Sequence, residues 1–494
     1  MRMRLEISNS TGCLNDYFFQ MLCLLYFPGE KFSVSAGKHS EDEPFARFVL
    51  TGGDGRFLCC CTVQSGDARA SANVELCAGD MLGETDDEYV AQSCAGSAFL
   101  NCCRKIFGFD MPWGRMTGLR PVKRMLYYLD RGRSVPEAKE IFRNDFAVSE
   151  EKTELCADIA LYQQRVFSKL GDGDCALYVA IPFCPSRCTY CSFVSYSGGK
   201  LFALLPDYLE RLKLDITRMA GVISGSGKNL VSVYIGGGTP TVLDAENLAS
   251  LLGHLTETVD MSRVKEFTLE GGRPDTVTAE KLRSAQLNGV TRISINTQTT
   301  DDNILAAIGR KHTAADYFAA CDVASAFDFD VNTDLIAGLP GDTEDGFARS
   351  LGDVMSRSHS NITVHTMSVK NAAPIRFIGS GAYDPRGSGA RNSVRYARDT
   401  LAQAGYLPYY LYRQKNTVGN AENTGYTKPG KHCLYNVMTM EERHSIFAVG
   451  ASALTKIVDG DLITRFANPK YPFEYLASDN GALAKEILTA LGKV

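Results

Sequence analysis

Three cysteines lie close together in the run Cys184-Pro-Ser-Arg-Cys188-Thr-Tyr-Cys191. Thiolates are soft donors that favour iron–sulfur and zinc sites. A loop this short lets three sulfurs converge on three corners of a 4Fe-4S cube. The fourth iron then has no protein ligand and is open to a small chelating molecule. A zinc site and three structural thiols are the competing readings. Zinc sites usually pair Cys-x-x-Cys units and take four ligands, and this chain has no second Cys-x-x-Cys. The spacing therefore favours the cluster.

The loop directly follows the apolar run Leu177–Ile181, which reads as a strand. From there to residue 370, short apolar runs alternate with helical patterns. The strand candidates are Leu177–Ile181, Val231–Ile235, Glu266–Leu269, Arg292–Ile295, Phe329–Ile336 and Asn361–Met367. Helical patterns fill the gaps at Pro206–Ile223, Ala245–Val259, Ala279–Leu287, Thr300–Ile308, Ala314–Phe327 and Asp342–Arg357. Such alternation means βαβ units and a parallel sheet. Six repeats predict an α/β fold, a partial (β/α)6 barrel over residues 173–370, with chemistry at the C-terminal ends of its strands.

Residues 1–110 read as a separate α+β domain. Arg47 to Cys61 reads as a hairpin around the turn Gly52-Gly-Asp-Gly55, and Asp86–Phe107 as an amphipathic helix. Residues 111–172 read as a helical connector, interrupted at Pro121 and Pro136, with Ser149 as a helix cap. Residues 371–494 read as an extension. They hold the glycine-rich Gly379-Ser-Gly-Ala, a helix near Ser388–Ala404, the aromatic stretch Pro408-Tyr-Tyr-Leu-Tyr-Arg-Gln-Lys-Asn416 and a helical end.

The chain has 494 residues, 45% hydrophobic and 22% charged, with a formal net charge of -5. That balance suits a globular protein with a sizeable core and offers no basic field to nucleic acid. The most apolar stretch, Phe18–Phe27, is far shorter than the roughly 20 residues that span a bilayer. The start shows no apolar signal region, so the expectation is a reducing cytoplasm with most of the sixteen cysteines as thiols. Cys59-Cys60-Cys61 sit in a predicted strand and Cys102-Cys103 in a predicted helix, where neighbours diverge. Buried thiols are the reading for both. His365 falls at the end of the sixth strand, facing either the site or the core.

Further motifs follow the strands in order: Gly236-Gly237-Gly238-Thr239-Pro-Thr241, Leu269-Glu270-Gly-Gly-Arg-Pro-Asp275, Arg292-Ile-Ser-Ile-Asn-Thr-Gln298, Ile308-Gly-Arg310-Lys-His-Thr and Asn332-Thr-Asp334-Leu-Ile-Ala-Gly-Leu-Pro340. With the triple cysteine, this set resembles the radical S-adenosylmethionine (SAM) superfamily. Within it, residues 110–460 resemble the oxygen-independent coproporphyrinogen III oxidase family, in its HemZ-type branch. Segments Thr117–Lys123, Asn361–Met367, Leu407–Asn416 and Glu422–Gly430 carry that finer likeness. The resemblance implies a 4Fe-4S cluster on Cys184, Cys188 and Cys191, with SAM as the second cofactor. It implies that Tyr178, Tyr190, Gly236, Gly237, Gly238, Thr239, Glu270, Gln298, Arg310 and Asp334 frame SAM. A planar guanidinium such as Arg310 suits the SAM carboxylate. The best-known members carry a fourth cysteine two residues after the third, where this chain has Phe193. They also carry a histidine where it has Ala180.

The implied activity is oxidative decarboxylation of coproporphyrinogen III propionates to vinyl groups, a step of haem biosynthesis. A large ring bearing carboxylates calls for cationic clamps in an apolar pocket. Arg120, Lys123, Arg413 and Lys415 are the clamp candidates, with Tyr410 and its neighbours Tyr409 and Tyr412 as pocket walls. The partners implied are the tetrapyrrole and an electron donor such as flavodoxin or ferredoxin, with no nucleic acid and no membrane. The competing functions are a haem-binding chaperone on the same fold and a radical SAM enzyme acting on another tetrapyrrole. The chaperones typically carry His-Asn-x-x-Tyr-Trp near the C-terminus, where this chain reads His432-Cys-Leu-Tyr-Asn-Val-Met, and its only tryptophan is Trp113.

Overall fold

The computed structural model describes residues 2–28, 30–33, 43–191, 196–369 and 387–493. The chain forms two compact units. The first holds Met1–Leu161 and Leu411–Glu422, and the second holds Tyr162–Tyr383, Gly389–Tyr410 and Asn423–Val494. Among the described residues no helix is long and apolar enough to cross a membrane.

Strands β1 (Arg2–Asn9), β2 (Lys31–Ser33), β3 (Phe45–Gly53), β4 (Arg56–Ser65) and β5 (Ala68–Cys77) make the sheet of the first unit, in the order β2-β1-β3-β4-β5. The expected hairpin joins β3 to β4. Its turn needs positive φ at Asp54 (50°) and Gly55 (77°), which is why the sequence places Asp-Gly there. Along β4, Phe57, Cys59, Cys61 and Val63 point inward at every second position. The helix Asp87–Phe107 covers them, capped by the Asp86 side chain on the Tyr89 N–H and ended by Gly108 in the left-handed region. Cys94, Cys102 and Cys103 join the same core, so these cysteines are core residues, and no disulfide forms among the described residues. The apolar stretch near Phe18 is a helix, Asp16–Tyr26, capped by Asn15. Pro121 and Pro136 begin helices, Pro121–Asp130 and Val135–Asn144. Proline is tolerated in a first turn because its missing N–H has no intrahelical partner there.

In the second unit six parallel strands lie side by side in chain order. They are β6 (Asp174–Ile181), β7 (Asn229–Gly237), β8 (Glu266–Glu270), β9 (Arg292–Ser294), β10 (Asp330–Ala337) and β11 (Asn361–Thr366). These match the six expected strands, and helices such as Leu205–Ser226 and Ala245–Thr258 connect them. One strand face packs on the helices through Leu177, Val179, Val233, Ile235, Phe267 and Leu269. The sheet does not stop at six strands. β12 (Leu407–Tyr412) and β13 (Asn423–Thr427) extend it beyond β11. β14 (Ser445–Val449), β15 (Leu454–Asp459) and β16 (Leu462–Ala467) extend it beyond β6. The features expected of this extension are a glycine-rich segment, helices and an aromatic stretch. Pro408 inside β12 and the polar Asn-Thr-Gly-Tyr-Thr of β13 look unlike strands, and both are held by pairing at the sheet margin. The segment Gly379-Ser-Gly-Ala lies outside the described residues, as does Phe193.

Candidate functional site

The cysteine loop leaves β6 and is fastened to three neighbouring strand ends. The Gly238 N–H donates to the Ile181 carbonyl (2.8 Å) and the Thr239 N–H to the Phe183 carbonyl (2.8 Å). Thr239 Oγ1 lies 3.4 Å from Cys184 Sγ. Side chains would break this zipper. A Cβ on Gly238 would meet the Phe183 oxygen at 2.5 Å and Cys184 Sγ at 2.9 Å. One on Gly236 would meet Tyr234 at 2.9 Å, and both Glu270 and Tyr178 at 3.3 Å. Gly237 has φ of 113°, which favours glycine. The glycine motif is therefore fixed by packing against the cysteine loop.

On its other side the loop is tied to the segment after β9. The Thr189 N–H donates to the Ile308 carbonyl at 3.0 Å. Arg310 is buried and bonds the Tyr190 hydroxyl through Nη2 (3.0 Å). Its Nη1 bonds the carbonyls of Asn296 (2.8 Å) and Gly272 (3.2 Å). Burial alone would lower the pKa of this guanidinium. The Tyr190 hydroxyl and the thiols of Cys188 and Cys191 outweigh burial and hold it above its ordinary value. Arg273, also buried, donates to Ser186 in the loop. His312 lies beside both arginines; burial and their charges push it down to about 3, so it is neutral.

The inner face of the sheet carries a second group of side chains. Tyr178, Tyr234 and Tyr435 stack, with the Tyr234 and Tyr435 ring centroids 4.4 Å apart. Tyr435 comes from the helix Leu434–Glu441, whose first N–H groups donate to Glu266 (2.8 and 3.0 Å). Acidic groups suit helix N-termini. The Tyr234 hydroxyl donates to Glu270. Burial pushes the Glu270 carboxyl up to about 7; the Tyr234 bond opposes this and the charge of Asp334 adds to it. Asp334 lies 3.6 Å from His365 Nε2 and accepts from Asn332 Nδ2 at 3.0 Å. Burial would raise its carboxyl, but the hydrogen bond and charge of His365, with Asn332 and Thr363, hold it below the usual range. His365 therefore faces Asp334 on the inner face. Gln298 is buried at φ 76°, with its N–H on the Asp334 carbonyl (2.9 Å).

Do these residues fit the expected cofactors? Gln298 Oε1, Asn296 Oδ1 and Ser294 Oγ are buried along one chain segment without hydrogen-bond partners. Buried polar atoms are normally satisfied, so a polar ligand such as SAM matches this edge. Three soft thiols beside a buried guanidinium match an anionic cluster. Among the described residues, no three Cys, His, Asp or Glu side chains stand close enough together to hold a metal ion. Thiolate ligands commonly gather as the metal binds, since binding and local folding are coupled. The donor chemistry and the glycine cradle fit.

The substrate candidates are placed differently. Arg413 is buried in the first unit, where it bonds the Met116 carbonyl and Asn420 Oδ1 (2.6 Å) and covers Trp113. Tyr410 is buried in the second unit, with its hydroxyl on Thr363 (3.3 Å). Lys415 contacts Tyr17, Arg120 is half-buried, and Lys123 is exposed. Sequence reasoning did not single out Tyr234, Tyr435, Arg273 or Asn296. Tyr234 and Tyr435 resemble ordinary core residues, and only the register Tyr178↔Tyr234 brings two of the stacked rings together.

Residues 178–354 match the model of the radical SAM superfamily. The chain is similar to the oxygen-independent coproporphyrinogen-III oxidase-like protein HemZ of Bacillus subtilis, 34% identical over 76% of each chain. It is 29% identical to the heme chaperone HemW of Haemophilus influenzae, over 62% of this chain and 76% of that one. Among solved structures it is similar to the coproporphyrinogen III oxidase HemN of Escherichia coli, described as a radical SAM enzyme. That match has a TM-score of 0.51 and 21% identity, covers 64% of this chain and 71% of the other, and is a likeness of fold.

Proposed function

We propose that this chain, which belongs to the radical SAM family of HemZ-like, oxygen-independent coproporphyrinogen-III oxidase-like proteins, decarboxylates coproporphyrinogen III to protoporphyrinogen IX without oxygen. In that reaction a propionate side chain loses a β-hydrogen atom, carbon dioxide and one electron, and becomes a vinyl group. The electron passes to an external one-electron acceptor.

One observation carries the reading. The cysteine loop, the glycine motif, Glu270 and Gln298 lie at or just after the C-terminal ends of parallel strands, where barrels of this type do chemistry. Arg310 reaches the carbonyls of Gly272 and Asn296 there, and Asp334 stands inside β10 with its carbonyl bonded by the Gln298 N–H. Cys184, Cys188 and Cys191 would hold the cluster. Arg310, pinned by two carbonyls, would meet the SAM carboxylate. Glu270, which holds its proton until about pH 7, and Gln298 Oε1 would meet its amino end. Asp334, kept ionised by His365 and Asn332, would accept hydrogen bonds from the ribose hydroxyls. The stacked tyrosines make an apolar wall beside these groups. Bound there, the reduced cluster and SAM supply a 5′-deoxyadenosyl radical able to take a hydrogen atom from carbon. Arg120, Lys123 and Lys415 are proposed to meet the propionates; the bonds Arg413 makes to Met116 and Asn420 fit a structural part better. A flavodoxin or ferredoxin is the proposed electron donor.

Similarity to proteins named heme chaperone HemW favours a second reading, haem carriage. Against it, His432 is fixed by the Tyr162 hydroxyl on Nδ1 (3.1 Å), and its carbonyl accepts from Arg292. The test is anaerobic incubation of the reconstituted chain with SAM, a reductant and coproporphyrinogen III. Stepwise loss of carbon dioxide from the tetrapyrrole, in ratio with 5′-deoxyadenosine, is expected by mass spectrometry. Stoichiometric haem binding with an unchanged porphyrinogen would instead support carriage.

A further inference from the structure

Two buried guanidinium groups flank the cysteine loop. Arg273 is 2% exposed. Its Nη2 donates to the Ser186 carbonyl at 2.7 Å and to Ser186 Oγ at 2.6 Å. Its Nη1 is buried with no hydrogen-bond partner. Arg310 reaches the same loop at Tyr190 and bonds the carbonyl of Gly272, the residue before Arg273. Among the described residues, every hydrogen bond these two side chains make goes to a carbonyl or hydroxyl oxygen, and none to a carboxylate.

A buried charge without a counter-charge is costly. Arg273, held against the eight-residue loop Cys184–Cys191 by bonds to neutral oxygens only, calls for an anion within it. A 4Fe-4S cluster on three thiolates is net negative, and becomes more so when it gains one electron. Arg310 has a role toward SAM in the reading above. Arg273 has none, yet it clasps the residue midway between Cys184 and Cys188.

We propose that Arg273 is a counter-charge to the cluster, a positioning residue that fixes the loop at Ser186 and raises the cluster's reduction potential. This rests on the reading of Cys184, Cys188 and Cys191 as the cluster ligands. The electron comes from an external one-electron donor, and Arg273 itself exchanges neither proton nor electron. A unit positive charge in a weakly screened interior favours the more negative cluster state. Its removal makes the cluster harder to reduce.

The experiment uses the full chain, reconstituted anaerobically, as wild type, Arg273→Gln and Arg273→Lys. Iron and sulfide are counted, and the cluster is then titrated with dithionite against redox dyes under electron paramagnetic resonance. Arg273→Gln is expected to keep its iron, but at the wild-type midpoint its ratio of reduced to oxidised cluster falls about tenfold, a negative shift of about 59 mV for one electron. Arg273→Lys, which keeps the charge, stays near wild type. Loss of iron from the Gln variant alone would likewise support a need for positive charge. Equal midpoints in wild type and Arg273→Gln, or equal loss of iron from both variants, would overturn the proposal. A wild-type chain that binds no cluster would instead remove the site reading beneath it.

Discussion

Tyr234 donates its hydroxyl hydrogen bond to Glu270 Oε1, from near the end of β7 to the end of β8. That bond lowers the pKa of a carboxyl that burial raises to about 7 from an ordinary 4.5. Between those values the folded chain keeps a proton that the unfolded chain has released. Stability therefore falls as pH rises from about 4.5 to about 7 and stays lowered above that. Glu270→Gln cannot ionise. It is expected to exceed wild type in stability by about 1–3 kcal/mol at pH 8 and to show little gain at pH 5. Thermal melts at the two pH values check this, and a gain independent of pH contradicts it.

Gly238→Ala would push a methyl group against the Phe183 carbonyl and Cys184 Sγ. The fold should survive, since the strain is confined to one loop. Iron retention after reconstitution should fall about tenfold, as when groups that support metal ligands are disturbed. Gly253→Ala is the control, because its Cβ would meet only Asn288 Oδ1, at 3.8 Å. Iron counts alongside circular dichroism separate loss of the site from loss of the fold.

The first unit rests on a buried group at Glu422. Its carboxylate takes the Trp113 indole N–H (3.1 Å) and Lys152 Nζ (2.7 Å). Burial works against the Lys152 charge, and Glu422 with Glu151 restores it, leaving the pKa above its ordinary value. Glu422→Ala leaves that ammonium without its most buried partner and should cost about 3 kcal/mol. Urea unfolding of the two proteins measures it; a difference under about 0.5 kcal/mol, typical of surface changes, contradicts it.

The part of this molecule that sequence makes legible is the part with local rules. Six buried parallel strands read as apolar runs such as Leu177–Ile181 and Val231–Ile235, and the helices between them announce their own period. The cysteine run stands out because spacing and residue type limit its donor chemistry, whereas the glycine run gains its reading only from its place after a strand and from the family resemblance. Arg273 and Tyr435 were not legible. Their meaning comes from Ser186 and Tyr234, 87 and roughly two hundred residues away along the chain. Arg413 shows the same limit, since a cation in an aromatic stretch reads as a substrate clamp until its bonds to Met116 and Asn420 are seen. The strands β12–β16 were missed because their stability comes from the margins of an existing sheet and not from their own composition.

The most direct test of the account is the yield of 5′-deoxyadenosine from SAM by the reduced, reconstituted chain, compared with Cys184→Ala, Cys188→Ala and Cys191→Ala. Wild type is expected to bind four irons on the chain and to release 5′-deoxyadenosine, and each variant to do neither, because three thiolates are needed to hold a cluster with one open iron. Undiminished 5′-deoxyadenosine from any one of the three variants would contradict the assignment of that cysteine and of the site built around it.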